Sequence, residues 1–186
     1  MNKDSKTILD VSARYLLIFL LGLGNLAVFY WVFTNPTVFF SRLILSFFGE
    51  AISIDEFIIF KDTLFEVARA CVAGSAYYLL FILSMAIPLN LIKRLKLIVY
   101  CFGIFFIVNV ARIVFMALIV GHTYFNEIHI FTWNVFSTLF VVFIWFSAVK
   151  IFKVKSIPIY SDILSIIPSK KSKTHKKNKR SINKKA

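Results

Sequence analysis

Three side chains in this sequence are of the types that acyl transfer needs. Cys71 stands in RACVAG, Arg112 in NVARIVFMALIVG and His129 in NEIHIFTW. A thiolate attacks a carbonyl carbon, and an imidazole exchanges protons near neutral pH. A guanidinium meets a developing oxyanion with a rigid fork of N–H donors. Each residue alone also has a plainer reading. Cysteine often packs as a small apolar filler, a long arginine snorkels towards water, and a histidine at a membrane surface needs no special role. Cys101 and His122 illustrate those plainer readings within the same chain. Together, thiol, guanidinium and imidazole form a chemically complete set, provided that the fold brings them together.

The elements that must position them are apolar rods. Of the 186 residues, 59% are hydrophobic and 17% aromatic, above the roughly 45–50% apolar content of a soluble domain. That excess excludes an ordinary soluble protein, which would expose large apolar patches, and makes the chain an integral membrane protein. Four apolar segments, about 14–33, 69–88, 95–121 and 130–151, reach the roughly 20 residues that a spanning helix requires. The first is too long for a signal peptide and has no small-x-small cleavage site, so it is expected to remain as a span. The chain shows no internal repeat. Its organisation reads as one membrane-embedded domain, 1–155, followed by a basic cytoplasmic tail, 156–186, with the composition of a disordered segment.

Charge sets the orientation. All of the 22 Lys and Arg except Arg42, Lys61, Arg69 and Arg112 fall on one side if both termini are cytoplasmic. Glu50, Asp55, Glu56, Asp62, Glu66 and Glu127 then fall on the other side. This topology puts Cys71 at the outer start of span two, Arg112 in the outer half of span three and His129 at the outer start of span four. Between spans one and two, Val38, Phe39, Leu43, Ile44, Phe47 and Phe48 recur at helical spacing, which predicts an amphipathic helix in the outer interface. An alternating stretch from Ile52 to Phe60 then hints at strand pairing, although simple connector packing fits it equally. The predicted fold class is therefore an all-α bundle of four transmembrane helices with one outer interfacial helix, both termini cytoplasmic.

Local context refines the candidates. The first turn of a helix at Cys71 would favour a thiolate through its unpaired N–H groups. Asn109 lies one turn before Arg112, so the two share a helix face and read as a polar pocket. Cys101 falls near the inner end of span three, which excludes a disulfide with Cys71. No cofactor or metal-binding motif stands out. The net charge of +13 resides mostly in residues 170–186, which suits a solvated, topogenic tail in contact with membrane lipids rather than a nucleic-acid-binding face; a tail that binds RNA or the ribosome is the alternative.

At these residues the sequence resembles the exosortase and archaeosortase family of membrane-embedded cysteine transpeptidases. The likeness runs from about 66 to 150 and rests on CVAG at Cys71, NVAR at Asn109–Arg112, Gly121 closing that span, and His129 before the last one. Many relatives carry the glycine two residues after the cysteine, whereas Gly74 comes three after Cys71. The resemblance implies that Cys71 attacks a peptide bond near the C-terminal anchor of an exported protein, that Arg112 steadies the oxyanion and that His129 shuttles protons. It further implies a sorting signal made of a short motif, a transmembrane helix and a basic end, with the acyl group passed to a lipid-linked acceptor. Gly74, Ser75 and Ala76 would then let a substrate helix approach closely, although small residues more often pack neighbouring spans of their own chain. Two other readings compete: a non-enzymatic scaffold whose basic tail binds ribosomes or anionic lipid, and a cysteine acyltransferase or protease with some other membrane substrate.

Overall fold

A computed structural model describes residues 3–61, 63–132, 135 and 137–154. It is mostly helical with one small sheet. The order is α1 (Lys3–Leu23), α2 (Ala27–Leu45), β1 (Ala51–Ile54), β2 (Phe57–Phe60), β3 (Thr63–Glu66), α3 (Arg69–Val72), α4 (Gly74–Met85), α5 (Leu91–Leu118), α6 (Phe125–Phe131) and α7 (Ser137–Ile151). Two helices, α2 and α5, are long and apolar enough to cross a membrane. At 1.5 Å per residue the 28 residues of α5 extend roughly 42 Å, which makes it the longest rod of the bundle.

Side-chain contacts fix the directions of the rods. The Arg14 guanidinium donates to Met85 O at 3.1 Å and the Tyr78 hydroxyl to Ile18 O at 2.8 Å, so α1 runs antiparallel to α4. Beyond a turn at Gly24–Leu26 the chain continues the same way in α2, where Phe33 stacks on Tyr77 with ring centroids 3.8 Å apart. The α5 and α7 helices are antiparallel, joined by a 3.1 Å hydrogen bond between Tyr100 and Ser147. One core gathers Phe29, Tyr77, Leu80, Cys101, Phe105 and Ile144 between the helices. A second packs the sheet on α2 and α5 through Val38, Leu45, Ile58, Phe60, Val110 and Val114.

The architecture corrects the sequence reading at several points. It is not all-α: the antiparallel order β1–β2–β3 contains the expected extended segment and adds a third strand. No separate interfacial helix forms over 38–48, because α2 runs straight through Pro36 to Leu45. Burial of Phe29, Thr37, Val38, Ser41 and Leu45 along one face outweighs the lost proline hydrogen bond. The expected spans are also interrupted. Asn25 and Leu26 take positive φ of 48° and 58° between α1 and α2, and Ala73 takes 57° between α3 and α4. Left-handed backbone at non-glycine residues is costly and persists only where surrounding packing enforces it. The basic tail lies outside the described residues.

Candidate active site

The break at Ala73 builds the site. Where α3 stops, the carbonyls of Cys71 and Val72 lose helical partners and would be buried unsatisfied. Two side chains of α5 fill that need. Asn109 Nδ2 donates to Cys71 O at 2.8 Å and to Val72 O at 3.4 Å, and an Arg112 guanidinium nitrogen donates to Cys71 O at 3.1 Å. Their spacing of three residues puts both on the α5 face turned towards α3. The cysteine's own N–H donates to Ala68 O at 2.7 Å. With only four residues in α3 the helix dipole expected to act on the thiol is small, and a local backbone hydrogen bond at Ala68 reaches the thiol in its place. Arg112 and Glu66 are instead the charged groups that face it.

Cys71, Arg112 and His129 line one cavity of about 100 Å³. The end of β3 supplies Phe65, Glu66 and Val67 to its wall, and α5 supplies Met116 and Ala117, so the surroundings are largely apolar. His129 belongs to the short exposed helix α6 and stacks on Phe125 one turn earlier, with ring centroids 5.8 Å apart and planes 11° from parallel. Near it, the Thr132 hydroxyl donates to Ile128 O at 2.6 Å and its residue completes the rim. Among the described residues no hydrogen bond orients the His129 ring, so the stack on Phe125 sets its plane. Sequence reasoning missed Glu66, Phe125 and Thr132 as neighbours of the site. Only Glu66 left a signal, as one acid of the outer group five residues before Cys71.

The two residues expected to form the substrate pocket have other duties. Asn109 is buried and, by holding the Cys71 and Val72 carbonyls, positions α3 rather than walling the cavity. Gly74 packs within the chain: a Cβ there would stand 2.8 Å from the Tyr30 ring, so close approach of α4 to α2 requires glycine. Ser75 and Ala76 do line open space, a lateral groove of about 570 Å³ that also touches Tyr30, Arg69, Thr138 and Val142. The Arg69 guanidinium lies 5.7 Å over the Tyr30 ring. Cys101 is buried in the helical core, and both cysteines are free. Among the described residues no group of three or more His, Cys, Asp or Glu side chains is placed to hold a metal ion. No protein-family model, curated protein or solved structure matches this chain.

Chemically, the arrangement offers a nucleophile, a planar cation and a proton carrier around a space large enough for a few heavy atoms. The guanidinium is anchored by a main-chain carbonyl of the nucleophile's own residue, which holds the cation beside the thiol. The imidazole approaches from a different, more exposed element.

Proposed function

We propose that this protein is a membrane-embedded cysteine transpeptidase that removes C-terminal sorting signals from exported proteins and passes the acyl group to a membrane-anchored acceptor. The observation that carries this reading is that Cys71, Arg112 and His129, from three separate elements, line a single cavity. His129 accepts the thiol proton, and Cys71 sulfur attacks the carbonyl carbon of the scissile peptide bond. Arg112 stabilises the oxyanion of the tetrahedral intermediate. On collapse, the C–N bond breaks, the leaving amine takes the proton from His129, and a thioester remains on Cys71. The acceptor nucleophile then attacks the thioester and surrenders its own proton to His129; the C–S bond breaks, and the departing Cys71 thiolate takes that proton back from His129. The resemblance to exosortases and archaeosortases supplies the substrate class: an exported protein ending in a short motif, an apolar helix and basic residues.

The reading includes four membrane crossings: α1 with α2, α3 with α4, α5, and the α6–α7 segment. Neighbouring rods run in alternating directions, and Arg14 and Arg94 gather with Asp10 at the end opposite Cys71. By the positive-inside rule that end is cytoplasmic, which puts the cavity on the extracytoplasmic side.

The test is direct. Membranes containing the protein are incubated with hydroxylamine, which cleaves thioesters, and the acyl peptides that it releases as hydroxamates are sought by mass spectrometry. A peptide ending at a defined residue is expected from the wild-type chain and none from Cys71→Ala. Exported proteins that still lose their C-terminal peptides in cells carrying only Cys71→Ala would refute the covalent mechanism.

A further inference from the structure

The sheet ends in an edge beside the cavity. β3 is an outer strand of the order β1–β2–β3, and its last residues, with Val67, form part of the wall around Cys71. The register tells which main-chain groups face outward. Val67 N–H donates to Glu56 O at 2.8 Å, and Glu66 stands opposite Phe57 and Leu64 opposite Ile59. Bonded and non-bonded pairs alternate along an antiparallel ladder. Since Val67 and Glu56 are a bonded pair, the N–H and C=O of Leu64 and Glu66 point away from β2. Among the described residues, nothing hydrogen-bonds those four groups.

Such an edge is a template for another strand. β3, TLFE, is short and ends in Glu66, but it carries neither a lysine nor a proline and so leaves its outward N–H groups open. Both outward-facing residues are exposed, Leu64 at 61%, and the strand leads within five residues to the nucleophile. We propose that the outer edge of β3 binds the extended substrate segment carrying the scissile bond, adding it as a fourth strand and delivering it to Cys71. This rests on the transpeptidase reading above. Main-chain pairing with Leu64 and Glu66 holds the peptide irrespective of sequence, and alternate side chains meet the sheet face. Selectivity then falls to Glu66. Its carboxylate is in the cavity wall, so the peptide position beside it takes a side chain with hydrogen-bond donors, basic or amide.

The test uses the full chain in its host membrane and reads removal of C-terminal peptides from exported proteins by mass spectrometry. Leu64→Pro deletes an outward N–H and puts a ring in the path of an added strand, but leaves every β2–β3 bond intact. Processing should fall at least about tenfold, whereas Leu64→Ala, which keeps the N–H, should stay within about twofold of wild type. Alkylation of Cys71 by a small thiol reagent reports whether the site survives each change. Wild-type processing by Leu64→Pro would remove the docking edge and leave the chemistry standing; wild-type processing by Cys71→Ala would remove both. If Leu64→Pro alters the alkylation, a photo-cross-linking residue in place of Leu64, in the Cys71→Ala chain, decides. It should trap the same exported protein whose C-terminal peptide persists in that strain. Trapping of that protein from the place of Ile52 on β1, and not from that of Leu64, would overturn the proposal.

Discussion

Arginines hold broken backbone at both ends of this bundle, yet only at one end do they stand beside a cavity lined by a thiol and an imidazole. At the first, Arg14 and Arg94 are 5% and 4% exposed and donate to the carbonyls of Met85, Ile87 and Leu89, where α4 has ended and α5 not yet begun. Asp10 closes the cluster at 3.2 Å from Arg14 and 3.9 Å from Arg94. At the second, Arg112 and Asn109 donate to the Cys71 carbonyl in the same manner, but a cavity opens beside them and a thiol and an imidazole face into it. The physical problem is shared: carbonyls freed by a helix break in an apolar medium need donors, and arginine carries five. What differs is the counter-charge. A carboxylate answers the cations at the first end, whereas at the second Glu66 faces the thiol across the cavity wall. Donor groups that only support backbone make a joint. The same groups beside a nucleophile and an opening make a candidate site.

The sharpest way to test that contrast is a crossed pair of substitutions. Cys71→Ala should reduce substrate processing to background while leaving the thermal midpoint in detergent nearly unchanged, because the thiol is only partly buried and alanine keeps the helical backbone. Arg14→Met should do the opposite. It removes the side-chain donor from the Met85 carbonyl at the α4 end, a loss of about 1–3 kcal/mol of stability, while turnover per folded molecule stays near normal at low temperature. Equal effects of the two variants on both readouts would erase the distinction between joint and site.

Next in size is Arg112→Lys. Lysine keeps a charge and can still reach the Cys71 carbonyl, so stability should change little. It loses the planar fork, and removing one oxyanion donor costs on the order of 10²–10³ in kcat. A variant with normal kcat but a lowered melting point would move Arg112 into the same class as Arg14. Asn109→Ala should fall between the classes. Its amide holds two buried carbonyls of α3, so stability drops by about 1–3 kcal/mol, and activity follows because α3 carries the nucleophile. Measured as turnover per folded molecule, the loss should be smaller than that of Arg112→Lys.

The contrast between the ends also marks what the sequence could reveal. Apolar runs announced the rods, because that signal is compositional and survives local irregularity. From depth alone, Cys71, Arg112 and His129 could be expected at one end, where they do line one cavity. The breaks were another matter. Ala73, Asn25 and Leu26 adopt left-handed backbone without being glycine, so nothing in residue type announces them. Pro36 carries the familiar signal for a helix end, and packing of Val38, Ser41 and Leu45 overrides it. β3 is hidden in the sequence because TLFEVA reads as an apolar run with one acid, and its alternation is visible only once Ile58 and Phe65 are seen paired. Asn109 is legible as a buried polar residue beside Arg112, but its partner is a carbonyl created by a break that residue type does not announce.

The smallest expected effect concerns how the imidazole is held. A proton carrier beside a cysteine is usually aimed by a third hydrogen-bonding group, and among the described residues His129 has none; an aromatic stack stands in its place. Phe125→Leu keeps apolar bulk in α6 but removes the parallel face. A stacked pair contributes about 0.5–1.5 kcal/mol beyond area burial, so orientation should loosen and kcat fall by roughly three- to tenfold, with KM and melting temperature close to wild type. Phe125→Trp, which restores a flat partner, should recover most of the rate. Recovery by leucine as well would mean that α6 itself, rather than the ring beneath it, determines where the imidazole points. The two ends of the bundle would then share a further rule, in which backbone position alone aims every polar group.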